Sequence, residues 1–375
     1  MKKQTINYQI LIPIILLSVI SIITINSALT YTSSSLGNLA LKQAIWYGVG
    51  WCFVFIILYL KNEYFYRLSW HFYGFGNLLL LLLLFFGTPI NNSKCWFMIP
   101  GVGSIQPSEF MKIFIMIILS TMIHNFRNDY ENPSCIDEFI FLLKTFIIVL
   151  IPSILTFLQP DTGAVLIYFI IYFSMMFVSG IRFRWFLSAF VIILLMGGSI
   201  LGLYFFRQEL FIDIFGTSIF YRLERIFNWS QGSGLQLENA LAAIGSAGLF
   251  GHGYNQTPIY FPESSTDFIF AVFASNFGFI GVCILLVLIL FLDISIIQLA
   301  RKKIDDTDRY IVIGILGMLL FQQIQNIGMT VGLLPIMGIT LPFLSYGGSS
   351  LLSYMLLVGL LLNISTKRKK TYRYK

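Results

Sequence analysis

Ten runs of predominantly apolar residues, each roughly 17–25 residues long, divide this chain, and that length matches a helix crossing a hydrocarbon core about 30 Å thick. They fall near residues 8–29, 41–60, 68–87, 108–124, 139–159, 163–179, 185–206, 267–292, 310–332 and 349–365. With 57% hydrophobic residues, 11% charged residues and a mean hydropathy of +0.82, the chain carries more apolar side chain than one water-soluble core absorbs. Soluble domains average about 45–50% apolar and about 25% charged. A soluble enzyme, a secreted disulfide scaffold and a disordered chain are thereby excluded. The expected fold class is all-α, a polytopic membrane bundle of ten transmembrane helices with a large extracellular loop between helices 7 and 8. The apolar run after Met1-Lys2-Lys3 exceeds the about 7–15 residues of a signal-peptide core, so it reads as a retained first span. Residues 1–366 then form a single membrane domain, its loop at about 207–266, and 367–375 form a basic tail.

The net charge of +7 does not point to nucleic acid, because the basic residues flank the apolar runs and so set orientation. With the N-terminus inside, only Lys42, Lys94, Arg207, Arg222 and Arg225 fall outside. Lys112 and Lys144 fall within spans, and every other Lys and Arg lies on the cytoplasmic side, including the tail from Lys367. Both termini are therefore expected in the cytoplasm of a cell whose membrane the chain crosses many times. Cys52, Cys95, Cys135 and Cys283 lie in different segments, and His71, His124 and His252 are scattered, so neither a disulfide framework nor a histidine metal cluster is expected.

Four polar constellations fall on the outer side under this topology, and ionisable residues at the rim of a bundle need a partner or a purpose. In Gln106-Pro107-Ser108-Glu109-Phe110-Met111-Lys112, Pro107 and Ser108 suit a helix start, and Glu109 and Lys112 are spaced to pair on one face. That pair either orients the helix or faces a polar cavity. Gln159-Pro160-Asp161-Thr162-Gly163 is a tight turn in which Asp161 is a helix cap or a site residue. In Pro262-Glu263-Ser264-Ser265-Thr266-Asp267, Asp267 stands at the mouth of the eighth span. It is either a cap or, with a serine or threonine capping instead, a carboxylate whose burial raises its pKa and suits it to proton abstraction. The fourth stretch, Asn326 to Ser350, is rich in glycine and proline and reads as non-helical backbone packed in protein or lining a wet cavity.

Together with Lys94-Cys95-Trp96 and Ala243-Ile244-Gly245-Ser246-Ala247-Gly248-Leu249-Phe250-Gly251, these motifs occur in the order found in the shape, elongation, division and sporulation (SEDS) family. The chain resembles that family over essentially its whole length, and Asn326-Ile327-Gly328-Met329 leans towards the RodA branch. The resemblance implies an inverting peptidoglycan glycosyltransferase that polymerises lipid II on the outer membrane leaflet. It also implies a class B penicillin-binding protein (a transpeptidase) as partner, and undecaprenyl-pyrophosphate-linked glycan as the growing strand. The family's essential aspartate falls on Asp267, its important tryptophan on Trp96 and its glutamate–lysine pair on Glu109 and Lys112. The chain departs from the family pattern at Ser265, where histidine is common, at Ser275-Asn276, where an acidic pair is frequent, and at Cys95, where arginine is common.

On this reading Asp267 is the catalytic base, and Trp96, Lys94, Glu109, Lys112, Asp161, Arg222 and Arg225 are substrate-binding residues. The anionic leaving group calls for cationic partners among Lys94, Arg207, Arg222 and Arg225. A divalent cation is an alternative neutraliser, and no other cofactor is expected. Membrane lipid is a partner and nucleic acid is not. Two rival readings are a lipid II flippase or other transporter, and a non-catalytic scaffold of the cell-wall machinery.

Overall fold

The computed structural model describes residues 7–28, 38–60, 62–90, 93–99, 103–227, 234–302 and 304–366. Lys2, Lys3, Lys61, Lys303, the tail from Lys367 and the side chains of Arg222 and Arg225 lie outside the described residues.

Nine described helices have the length and apolarity to cross a membrane. They are α1 (Tyr8–Ala28), α2 (Leu39–Tyr59), α4 (Ser69–Phe86), α5 (Pro107–Asp129), α6 (Cys135–Leu158), α8 (Phe183–Phe206), α12 (Ile269–Arg301), α13 (Asp306–Thr330) and α14 (Gly348–Thr366). The tenth expected span is α7 (Thr162–Val178), shorter at 17 residues and apolar throughout. A six-residue helix α3 (Asn62–Arg67) joins α2 to α4. The expected all-α, ten-span bundle is thus the observed architecture, and the chain is a multi-pass membrane protein.

Local chemistry sets where several helices begin. Pro107 occupies the first turn of α5, where its missing N–H leaves no hydrogen bond unmade. Ser134 and Asp137 form a reciprocal capping box at the start of α6. Asp161 caps α7 by accepting from the Ala164 N–H at 3.0 Å. α14 is among the most buried helices, lying along α2. Small residues allow that approach, since a Cβ at Gly50 would stand 2.6 Å from Met355 Cγ and one at Gly348 would stand 2.7 Å from Trp46 Cε2. α8 is the opposite case, with Tyr204 its sole buried residue, so its apolar side chains face outward along its length.

Two connections carry structure of their own. Between α4 and α5, a three-stranded antiparallel sheet is formed by β1 (Thr88–Ile90), β2 (Ser93–Ile99) and β3 (Gly103–Ile105). The loop after α8 folds into α9 (Gln208–Phe215), α10 (Thr217–Phe227) and α11 (Gly234–Ser246). Phe211 is fully buried there, its ring 5.8 Å from that of Tyr204, and α11 packs against α12.

The segment after α11 docks on a break in α12. Gly278 has φ +63° inside that helix, and the freed backbone is satisfied by the loop: His252 N–H donates to Ser275 O at 2.9 Å, and Gly253 N–H donates to Asn276 O at 3.1 Å. Asn276, at one of the family departures, is buried and bonded to Ser27 at 2.5 Å and to Thr257 at 3.0 Å. Gly251 has φ +79°, and a Cβ on it would lie 2.3 Å from the Asn276 carbonyl oxygen. Backbone meets backbone here, so no side-chain rotation relieves the clash. Gly251→Ala is expected to lower stability by about 1–3 kcal/mol or more through steric and left-handed strain. Thermal unfolding in detergent measures this, and an unchanged midpoint would remove the close approach as a requirement of the fold.

Candidate active site

The starts of α2, α5, α7, α12 and α14, the sheet and the connection from α13 to α14 enclose one cavity of about 1900 Å³. Trp96, Glu109, Asp161 and Asp267 all line it, so residues spread over more than 170 positions of sequence share one wall system.

Asp267 precedes α12, whose N-cap, Phe268, makes no side-chain capping bond. Neither Asp267 nor the preceding Ser264, Ser265 or Thr266 caps that helix, which sets aside the capping alternative for Asp267. The turn is instead held by its backbone. Asn326 Nδ2 donates to the Asp267 carbonyl at 2.8 Å, Ser345 Oγ donates to the Thr266 carbonyl at 2.7 Å, and Tyr346 N–H donates to the Ser265 carbonyl at 2.8 Å. Glu263, at φ +54°, closes the turn, its carbonyl accepting from the N–H groups of Thr266 and Phe268. The Asp267 side chain is left to the cavity. Burial there, and then the charge of Glu263, push its carboxyl up to about 7.

Glu109 and Lys112 form an ion pair of 2.6 Å. Only half of the pair faces the cavity: Glu109 lines it, while Lys112, 1% exposed, lies behind with its ammonium 5.4 Å from the Tyr354 ring and is not among the lining residues, so the expected substrate contact from Lys112 is not formed. Asp161 likewise does two jobs. Its Oδ1 caps α7, and its Oδ2 accepts from Gln106 Nε2 at 2.9 Å and Ser108 Oγ at 3.1 Å, tying the starts of α5 and α7 together. Burial holds its carboxyl above the usual carboxylate range. Cys95 is 2% exposed and donates its S–H to the Gln159 carbonyl at 2.9 Å, and burial with the charge of Asp161 pushes the thiol up to about 12.

Lys94 is not brought to the site. It is exposed on β2 and is not among the cavity-lining residues, although it sits two positions from Trp96. The reason is a register shift: Thr88 pairs with Trp96 but Ile90 with Ser93, one residue short of regular pairing, so the strand alternation breaks between them. On α10, Tyr221 and Glu224 line the cavity, flanking the undescribed side chains of Arg222 and Arg225.

Sequence reasoning missed several lining residues. Lys42 counts in the sequence only as a topological charge, yet it is the one basic residue among the described lining residues, in a lining that also holds Glu109, Asp161, Glu224, Glu263 and Asp267. Its spacing of four from Trp46, which also lines the cavity, was the available signal. Gln322 had none, lying in an apolar run, whereas Thr340 belongs to the Asn326 to Ser350 stretch read as packed in protein or lining a wet cavity, which lines the chamber from Ile336 to Thr340 and from Tyr346 to Ser350. Asp293 was also overlooked; it is buried inside α12, accepts from Gln323 Nε2 at 3.2 Å and is not a lining residue. Lys144 is exposed on α6 rather than turned into the bundle. Among the described residues no three His, Cys, Asp or Glu side chains converge on a cation position.

Fold and cavity define a polytopic membrane protein with a carboxylate-lined chamber at one end of its bundle. Residues 8–370 match the model of the FtsW/RodA/SpoVE cell cycle protein family, and the chain belongs to that family. A Haemophilus influenzae relative named probable peptidoglycan glycosyltransferase FtsW is 30% identical over 373 residues, covering 95% of this chain and 89% of its own. The crystal structure of the rod shape determining protein RodA of Thermus thermophilus superposes with a TM-score of 0.70 at 25% identity, covering 98% of each chain. A solved chain from a peptidoglycan synthase complex that coordinates polymerization and crosslinking gives a TM-score of 0.79 at 24% identity, over 96% of this chain and 98% of its own. The likeness thus extends to both FtsW and RodA names.

The buried pair generates a prediction. Lys112→Met leaves the Glu109 carboxylate buried without its cation and is expected to cost about 3–5 kcal/mol of stability. Glu109→Gln combined with Lys112→Met should recover most of that loss. Melting temperatures of the purified variants in detergent compare the two, and equal values for wild type and Lys112→Met would show that the pair does not hold the helix.

Proposed function

We propose that this chain is a peptidoglycan glycosyltransferase that extends glycan strands from lipid II at the outer face of the cytoplasmic membrane, with both termini in the cytoplasm. The observation that carries the reading is the placement of Asp267, a carboxylate pinned through its backbone, unused as a cap and open to a chamber large enough for saccharide units. Family membership and the glycosyltransferase name of the Haemophilus relative support it.

In this mechanism the growing glycan on undecaprenyl pyrophosphate is the donor and lipid II is the acceptor. Asp267 takes the proton of the acceptor sugar hydroxyl as the oxygen attacks the anomeric carbon. The C–O bond to the lipid pyrophosphate breaks, the leaving group departs with the electron pair, and configuration inverts. An inverting transfer needs a base and no covalent sugar intermediate. Lys42 supplies positive charge in an otherwise acidic lining for the pyrophosphate, joined by Arg222 and Arg225 from α10. Trp96 offers an aromatic face to a sugar ring. A class B penicillin-binding protein is the proposed partner, supported by the structural likeness to a chain of a synthase complex.

The enzyme reading is favoured over a flippase by the position of the carboxylates, which gather at one end of the bundle. The buried charge within α12, Asp293, is bonded to Gln323 instead of lining a passage.

Polymerisation of fluorescent lipid II by the protein with its co-expressed partner tests the proposal. Wild type is expected to make long strands and Asp267→Asn none, at equal folding. Because the ionised carboxylate is the reactive form and burial lifts its pKa to about 7, the rate should climb with pH through that value and level off above it. Removing the neighbouring negative charge by Glu263→Gln lowers the pKa, so the climb should move to lower pH. Strands of equal length from Asp267→Asn would remove this residue from the chemistry, and no strands from wild type would return weight to a transporter or scaffold.

A further inference from the structure

Gln322, on α13, is 1% exposed yet lines the cavity. Its Nε2 donates to the Tyr354 hydroxyl at 2.9 Å, while its Oε1 has no partner among the described residues. Turning the amide over only moves the deficit to Nε2, because a tyrosine hydroxyl donates as well as accepts. Either way one polar atom of a buried amide is unmatched, in a side chain that borders the cavity. An orphan of this kind is costly, and native proteins keep few of them without a reason.

Two neighbours give the spot its chemistry. Thr340 lines the cavity and its Oγ1 is 3.0 Å from the same Tyr354 hydroxyl. Glu109 receives Lys112 and Ser353 both on Oε2, which leaves Oε1 for the cavity. The distance to the proposed base is short. A Cβ on Gly338 would stand 3.8 Å from Asp267 Oδ2, and two residues of chain from Gly338 to Thr340 span at most roughly 7 Å.

Resting on the polymerase reading above, we infer that Gln322, with Thr340 and Glu109, forms the subsite for the 2-acetamido group of the acceptor amino sugar. An acetamido group carries an N–H donor and a carbonyl acceptor together, so it completes the Gln322 amide in either orientation. Ile339, which lines the same stretch, meets its methyl group, a contact that a hydroxyl at the sugar's 2-position lacks. The free carboxylate oxygen of Glu109 accepts from an adjacent sugar hydroxyl.

The test compares polymerisation of lipid II with that of an analogue carrying a hydroxyl in place of the acetamido group on its terminal sugar, using the full chain with its partner. Wild type is expected to favour lipid II by about tenfold or more in kcat/KM, the scale set by leaving one buried hydrogen-bonding group of the site unmatched. Gln322→Met, of similar length, should raise KM for lipid II with kcat less affected and shrink the preference to within about twofold, at an unchanged melting temperature. Wild type using both substrates equally overturns the inference, and that measurement needs no variant. Full preference retained by Gln322→Met, or by Thr340→Val together with Gln322→Glu, overturns it as well. In each case the polymerase reading stands, because strands are still made. An absence of strands from wild type removes that reading and the subsite together.

Discussion

Backbone that leaves a helix inside a membrane bundle must find every hydrogen bond within the protein, since lipid offers none. The segments before α12 and between α13 and α14 meet that demand by satisfying each other. The carbonyls of Ser265, Thr266 and Asp267 are taken by Tyr346, Ser345 and Asn326, while Asn326 also donates to the Ile339 carbonyl at 2.8 Å. The turn that carries Asp267 is therefore tied through its carbonyls to α13 and to the segment before α14. Its carboxylate needs no side-chain partner to be positioned, and this frees it to face the chamber.

The electrostatics of the chamber follow from the same economy. Carboxylates with structural duties are neutralised or saturated: Glu109 by Lys112 and Ser353, Asp161 by the α7 N-terminus, Gln106 and Ser108. Asp267 makes no such side-chain bonds among the described residues, and burial with the charge of Glu263 lifts its carboxyl to about 7, where it exchanges a proton near neutral pH. Differences in environment among carboxylates of the same chamber thus separate the group suited to proton transfer from those that hold the walls.

Much of the architecture was legible in the sequence because the relevant signals are local. A run of apolar residues long enough to span a bilayer has few other stable outcomes, so most boundaries of the expected spans lie within a few residues of the observed helices, although α5 runs on to Asp129 and α12 to Arg301, well past the expected ends at 124 and 292. The pairing of Glu109 with Lys112 follows from one helical turn, and the capping role of Asp161 from its place before Gly163. The break in alternation that turns Lys94 away from the chamber was not legible. It depends on how β2 pairs with β1, which no spacing within β2 reveals.

The sequence by itself determined the spans, the presence of an aspartate at the mouth of the eighth span, and the gathering of the polar motifs at one end of the bundle, because each rests on hydropathy, charge or order along a short stretch. Only the tertiary structure decided that Lys42 and Gln322 join the chamber, that Lys112 hides behind Glu109, and that Asp267 is not a cap. Those outcomes depend on helices far apart in the chain meeting across the bundle at glycine contacts such as Gly348 against Trp46. The close packing that brings distant side chains together leaves no period in the sequence to read.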